Sequence, residues 1–477
     1  MAKAEQAKVE KVEKTKGEKL AEKLLYKPKN IAERMKDAEM KKAFDFSEAY
    51  KVFMNLAKTE REAVDVTVDM LQERGYKKFD PTKKYVAGDK VYYNNRGKSL
   101  IFAVIGKQPL DKGVRIAASH VDSPRIDLKP RPFYETEDMA FLKTHYYGGI
   151  KKYQWVAMQL ALHGVICRKD GTSVAVKIGE DESDPVFVIN DLLPHLAQEQ
   201  VQRKLHEGIK GEELNVLIGS LPFKDDKVSE KVKLSILNII FEKYGVTEED
   251  FLSADLSLVP AHKARDIGFD RSMVGAYGHD DRVCAYTSIM ACFDVEQPEY
   301  TWVNILADRE EIGSVGNTGL DSNLLEYFIF DLAAPHGISG RTVLQNSTCL
   351  SADVNVALDP TFPETVDSRN VARLGYGVCL TKYTGSRGKS GTSEASAEFT
   401  AKMRNVFDKA GVVWQTGELG RVDLGGGGTV ALYIAALGVD VIDLGVPVLS
   451  MHAPLEVVGK ADVYSAYQAF AAFLAEK

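Results

Sequence analysis

Apolar positions along the chain change their spacing several times, and each change marks a different kind of element. From Phe46 to Arg74, the residues Val52, Leu56, Val64, Val68 and Leu71 recur at helical intervals, which predicts one helix stopped by Gly75. A hairpin follows, with Lys90 to Tyr93 and Ser99 to Ile105 as strands about the turn Asn94-Asn95-Arg96-Gly97. Short apolar runs then come at Val114 to Ser119, Thr301 to Leu306, Thr348 to Ala352 and Val446 to Met451. They read as strands buried on both faces. Helical stripes follow several of them. Val283, Tyr286, Ile289, Met290 and Phe293 form one, and Val463, Tyr464, Tyr467, Phe470 and Phe473 form another. This alternation of strand and helix predicts an α/β protein.

Two stretches break the pattern. Residues 1–42 are a Lys/Glu-rich tail with charge pairs at helical spacing, readable as a solvated helix or as a disordered segment. Residues 131–260 alternate in short strand-like runs, such as Ser173 to Ile178 and Pro185 to Ile189, between polar loops. They read as a β-rich domain inserted into a catalytic domain made of residues 43–130 and 261–477. The 160-residue gap between His120 and Asp280 is too long for one strand connection and fits such an insertion.

Composition narrows the class. The chain has 477 residues, enough for about three ordinary domains, with 45% hydrophobic and 27% charged residues, as in soluble globular proteins. The most apolar stretch, Thr429 to Val439, is half a bilayer span and ends at Asp440, so no membrane helix is expected. The first residues contain no apolar run of the kind that directs export. Five widely spaced cysteines without a C-x-x-C pair argue against a disulfide framework, and a reducing cytoplasm is the expected location. Net charge is −7, but residues 1–30 hold nine Lys against five Glu, so the rest of the chain carries −11. An acidic body argues against nucleic acid as a partner and suits the collection of metal cations.

Two of the nine histidines stand directly after strand candidates: His120 in AASHVDSPR and His452 in VLSMHAPLE. Ligands bind beyond the carboxyl ends of strands in an open α/β sheet, so such residues can converge from distant parts of a chain. The same rule selects Glu310 and Glu311 after TWVNIL, Asp353 after TCLSA, and Asp280 with Asp281 at the helix start GHDDRVCAY. Each has an ordinary reading as loop, cap or solvated surface. Together, two histidines and several carboxylates at strand ends form the donor set of a metal site.

The strings SHVDSPR, GHDDRVCAY, ADREEIGSVG, SADVNVALDP and VLSMHAPLE, in this order, resemble the M18 family of dinuclear zinc aminopeptidases, the aspartyl aminopeptidase family of the MH clan. The likeness runs from about residue 45 to the C-terminus. It implies a mixed-sheet α/β/α metallopeptidase domain interrupted by an oligomerisation domain, and a homododecamer built from dimers. It also implies two Zn2+ per subunit, one held by His120 and Asp353, the other by Glu311 and His452, with Asp280 bridging both. Zinc is not the only metal these donors suit, and Co2+ or Mn2+ remain open. Glu310 would be the general base, and Asp122 would orient the His120 imidazole. Asp281 is a further neighbour of the bridge. With both histidines neutral, two Zn2+ and the carboxylates of Asp280, Glu311 and Asp353 leave a net +1, which favours a hydroxide nucleophile.

Substrate contacts are read from three further places. Lys382, in GVCLTKYTGSRGKSG, is the nearest candidate for recognising an N-terminal Asp or Glu side chain, although the same stretch reads as a flexible loop. Gly427 and Thr429 belong to the loop RVDLGGGGT, which resembles the family's glycine-containing loop near the site. No Lys-Ser/Thr follows in P-loop spacing, so a phosphate loop does not fit. His195, in LLPHLAQ, resembles a family histidine that reaches a neighbouring subunit's site, beside the plainer reading of a partly buried histidine. The expected partners are peptides with free N-termini, with neither nucleic acid nor membrane. A broad or leucine-preferring aminopeptidase, an N-acyl amino acid amidohydrolase and a non-enzymatic shell protein stand as alternatives.

Overall fold

The computed structural model describes residues 14–476. Its centre is a mixed nine-stranded sheet. The inner strands Trp302–Ala307, Arg115–His120, Thr348–Ala352 and Asp440–Gly445 run parallel. The antiparallel pair Lys90–Asn95 and Ser99–Val104 extends one side, and Val378–Thr381 joins the other antiparallel to Asp440–Gly445. Alternation along each strand feeds two cores. Leu100, Phe102 and Val104 face helices such as His279–Phe293 and Lys460–Leu474, whereas Ile101, Ala103 and Ile105 face Leu324–Ala333 and Gly340–Gln345. The result is a three-layer α/β/α arrangement.

A second sheet takes its seven strands from residues 125–260 and is antiparallel throughout, with Arg125–Thr136 and Ala254–Pro260 paired near its middle. It has its own apolar core and one helix, Lys231–Tyr244. A third, five-stranded sheet carries Met273–Ala276, Glu456–Gly459 and Pro447–Leu449. The Lys/Glu-rich stretch divides: residues 1–13 lie outside the described residues, Lys16–Leu24 is a helix with no buried residue, and Ile31 is already buried against Met35 and Val413.

Two expected elements are corrected. The single helix from Phe46 to Arg74 is two helices, Asp37–Leu56 and Glu60–Glu73, and Val52 and Leu56 are exposed. Thr59 starts the second helix through a capping box: its hydroxyl accepts from the Glu62 N–H, and the Glu62 carboxylate accepts from the Thr59 N–H. Arg282 donates to the Ala57 carbonyl freed by the break. The run Val446 to Met451 narrows to the strand Pro447–Leu449 and lies outside the central sheet. Asp440–Gly445 belongs to the central sheet and Pro447–Leu449 to the five-stranded one, and Pro447, having no N–H to give, sits at the start of its strand. His452 therefore enters the site from the small sheet.

The helix break also seats a buried ionic cluster. Lys58 reaches Glu180 at 2.6 Å, and His163 lies between Glu62 at 2.9 Å and Glu180 at 3.1 Å. Burial works against a charged His163, but Glu180 and Glu62 outweigh it and hold its pKa above the usual value. Stabilisation from a raised histidine is full below its unfolded pKa and fades as pH rises through the folded one. His163→Gln is therefore expected to lower the denaturation midpoint more at about pH 5.5 than at about pH 9. An equal loss at both values would refute the charged cluster.

Candidate metal centre

Strand order decides what converges. Arg115–His120 lies between Trp302–Ala307 and Thr348–Ala352, all parallel, so His120, the Glu310-Glu311 turn and Asp353 leave the same edge of the sheet. The helix His279–Phe293 delivers Asp280 and Asp281, whose backbone is not yet helical and whose joining peptide is cis. His452 follows the strand Pro447–Leu449 in a turn, with φ +64°.

Asp280 stands at the centre. Its Oδ1 lies 3.2 Å from His120 Nε2, and its Oδ2 lies 3.2 Å from His452 Nε2. Glu311 Oε2 is 3.4 Å from His452 Nε2, while Asp353 Oδ1 and Glu310 Oε2 lie 3.7 and 4.0 Å from His120 Nε2. Two donor groups are compact enough for one ion each: His120, Glu310 and Asp353, and His120, Asp280 and Glu311. The two groups have His120 in common, and the Asp280 carboxylate lies between His120 and His452.

The other nitrogen of each histidine faces an acceptor. His120 Nδ1 is 3.0 Å from the Asp122 carbonyl and 3.3 Å from its Oδ1, and His452 Nδ1 is 2.9 Å from the Gly149 carbonyl. A carbonyl only accepts, so Nδ1 donates in both rings and each Nε2 is turned into the site. Asp122 holds more than His120. Its Oδ1 accepts from the Glu310 N–H and its Oδ2 from the Glu311 N–H, so one carboxylate sets the turn that presents both glutamates.

The site's electrostatics call for a cation. Burial, then the Asp353 charge, push Glu310 up to about 8. Burial followed by neighbouring carboxylates raises Glu311, Asp353 and Asp281 as well. Opposing burial, the carboxylates lift His452 to about 10, led by Asp280, and raise His120, led by Asp122. Among the described residues, His120 Nε2, Asp280 Oδ1, Glu311 Oε1 and both Asp281 carboxylate oxygens are buried without a hydrogen-bond partner. Buried carboxylates that repel one another, with lone pairs aimed at common points, fit divalent metal ions, whose charge reverses these shifts. His279, beside Asp280, is outside this set. It bonds to Tyr50 and the Val274 carbonyl, and burial lowers its pKa to about 3.

The remaining sequence candidates are placed differently. Lys382 follows the strand Val378–Thr381 and pairs with Glu394 at 3.6 Å. The Gly427 carbonyl accepts from the Gly385 N–H at 2.6 Å, so the glycine loop packs backbone to backbone on the 384–391 loop. A Cβ at Gly426 would lie 2.0 Å from the Gly385 oxygen, which accounts for glycine there. Thr429 donates to Asp443, whose carboxyl burial pushes up to about 7. His195 is exposed on a single turn of the second sheet's loops and makes no hydrogen bond or ion pair with the site among the described residues.

Sequence reading missed two carboxylate contacts. Glu456 is buried and accepts from the Asp280 N–H and the His452 N–H, tying the bridging residue to the histidine turn. It ends VLSMHAPLE, four residues after His452, but nothing in its spacing separates it from a solvated glutamate. Tyr147 donates to Asp122 at 2.8 Å from inside the second sheet, where strand residues alternate and carry no marker of a distant partner.

The family model for the aminopeptidase I zinc metalloprotease (M18) matches residues 53–474. The chain belongs to the M18 family. This M18 chain is 49% identical over 459 residues to a probable M18 family aminopeptidase 1 of Clostridium acetobutylicum, covering 94% of this chain and 99% of that one. The crystal structure of an M18 family aminopeptidase from Thermotoga maritima superposes with a TM-score of 0.89 at 42% identity, over 94% of this chain and 99% of the other. The mApe1 dodecamer of S. cerevisiae has a similar fold, with a TM-score of 0.72 at 24% identity over 91% and 96%. The M18 protein described here is a metallo-aminopeptidase with the α/β fold expected of it.

Proposed function

We propose that this aminopeptidase is dinuclear and zinc-dependent, removing the N-terminal residue from peptides. The observation that supports this most is the Asp280 carboxylate, which offers one oxygen toward each histidine at 3.2 Å. His120 and Asp353 would hold one ion and Glu311 and His452 the other, with Asp280 common to both. When bound, zinc would supply Lewis-acid polarisation of the scissile carbonyl and lower the pKa of water.

The chain's own groups carry the protons. Glu310 takes one from the attacking water and returns it to the leaving amine, a role suited to a carboxyl beside the metal-facing donors that Asp122 anchors through its backbone. Asp122 keeps the His120 ring in one tautomer, and the Gly149 carbonyl does the same for His452. Glu456 fixes the turn between Asp280 and His452.

Lys382 bears on side-chain preference. It shares Glu394 with Lys389, which lies 3.0 Å from the same carboxylate, and this internal partner competes with a substrate carboxylate. The arrangement favours neutral first residues over Asp or Glu. Association into a dodecamer, supported by the fold shared with mApe1, would place His195, exposed on the second sheet, where a neighbouring subunit's site can meet it. No helix among the described residues is long and apolar enough to cross a membrane.

A panel of aminoacyl amides beside their N-acetylated forms, assayed on apo-protein with each metal added back, tests the reading. Cleavage should require the free amine, return with zinc, and favour neutral over acidic first residues. Cleavage of the acetylated forms would make the protein an amidohydrolase, and a preference for Asp or Glu would overturn the account of Lys382.

A further inference from the structure

The second sheet and the turn that follows its strand Met139–Tyr147 reach the metal centre through Tyr147, Gly148 and Gly149. Tyr147 ends the strand Met139–Tyr147 and donates to Asp122, the carboxylate behind His120. Gly149 offers its carbonyl to His452 Nδ1 at 2.9 Å. Between them, Gly148 has φ +75°, and an ideal Cβ there would lie 3.4 Å from Glu311 Cβ and 3.3 Å from Pro124 Cβ. Three successive residues thus touch the surroundings of His120, Glu311 and His452. Two glycines are what allow the backbone so close.

This segment is itself held. Tyr147 is opposite Arg125 in the sheet, and the Arg125 guanidinium carbon lies 4.0 Å from the centroid of the Tyr147 ring. Arg125 is buried and bonded to Asp127 at 2.8 Å and to Glu60 at 3.1 Å. Glu60 opens the helix Glu60–Glu73 of the catalytic layers. A continuous series of contacts, Glu60, Arg125, Tyr147, Asp122 and His120, therefore joins the first helical layer, the second sheet and the metal site.

We propose that Tyr147-Gly148-Gly149 is a positioning strap through which the second sheet sets metal affinity, Tyr147 acting through Asp122 on His120 and on the Glu311 turn, and Gly149 acting on His452. The inference rests on the dinuclear reading above. It gives the second sheet a task inside its own subunit, separate from any role in association. Partners of metal-bound histidines and of the carboxylates behind them are worth about 10- to 100-fold in metal affinity, which sets the size of the effect sought.

The test titrates apo-protein with Co2+ and follows the visible absorption of the bound ion, resolving the two binding steps. Tyr147→Phe removes one hydroxyl from the carboxylate that holds both His120 and the Glu311 turn, and should weaken both steps by about 10- to 100-fold. Gly148→Ala keeps every hydrogen-bonding group but strains the strap, and it should weaken both steps. Tyr146→Phe, on the adjacent and exposed tyrosine, should match wild type. A merely structural role for Tyr147 would change thermal stability alone and leave both steps at their wild-type affinities. Wild-type affinities in both Tyr147→Phe and Gly148→Ala would overturn the strap. Uptake of fewer than two ions by wild type would instead overturn the dinuclear reading on which it rests.

Discussion

Replacing Glu310 by Gln is expected to lower kcat by about 1,000-fold while leaving the bound metal and KM near their wild-type values. Gln keeps the shape of the side chain and the backbone bond to Asp122, but it cannot take a proton from water. The geometry leaves a second role to be separated from this one. Glu310 Oε2 is 4.0 Å from His120 Nε2 and belongs with His120 and Asp353 to a group compact enough to hold an ion. A ligand and a base differ in what their loss does. If Glu310 were a ligand, the variant would lose metal together with activity, and adding excess metal would restore part of the rate. If it is the base, metal content is unchanged and added metal restores nothing. Near-normal turnover would remove it from the mechanism altogether.

Asp280→Ala should be more damaging still, because the residue faces both halves of the site at equal distance. Losing a group behind a ligand costs about 10- to 100-fold in affinity, and loss of a shared ligand should exceed that for each ion. The substitution also leaves His120 and His452 without the carboxylate between them. The helix should survive, since its packing depends on Val283, Tyr286 and Ile289 in the main core and on Arg282 bonding back to Ala57 and Tyr277. Activity should fall below detection at metal concentrations that saturate wild type. Retention of both ions at wild-type affinity would show that Asp280 is not the bridge.

What could be read from the sequence followed physical rules that act locally. Strands buried on both faces must be apolar throughout, so Val114 to Ser119 and Thr348 to Ala352 were legible, and the rule of strand carboxyl ends then singled out His120, Asp353 and the Glu310-Glu311 pair. The structure brings all seven of the central candidates together, His120, Asp122, Asp280, Glu310, Glu311, Asp353 and His452. Misreadings came where two signals overlapped. The stripe from Val52 to Leu71 kept helical spacing across a break that the Thr59 and Glu62 capping box makes, and side-chain periodicity does not register a cap. The run before His452 hid a change of sheet at Pro447. Glu456 and Tyr147 were beyond reach for another reason. Each gains its role from a partner far away in the chain, Asp280 for one and Asp122 for the other, and neither partnership leaves a periodic trace.

Counting zinc per chain at saturation in wild type and in Asp280→Ala, with activity followed during the same titration, decides whether two ions share Asp280. Two zinc ions per wild-type chain are expected, with activity that rises as they bind, and little zinc or activity in the variant. One zinc ion or none in fully active wild-type protein would contradict a site shared by two ions.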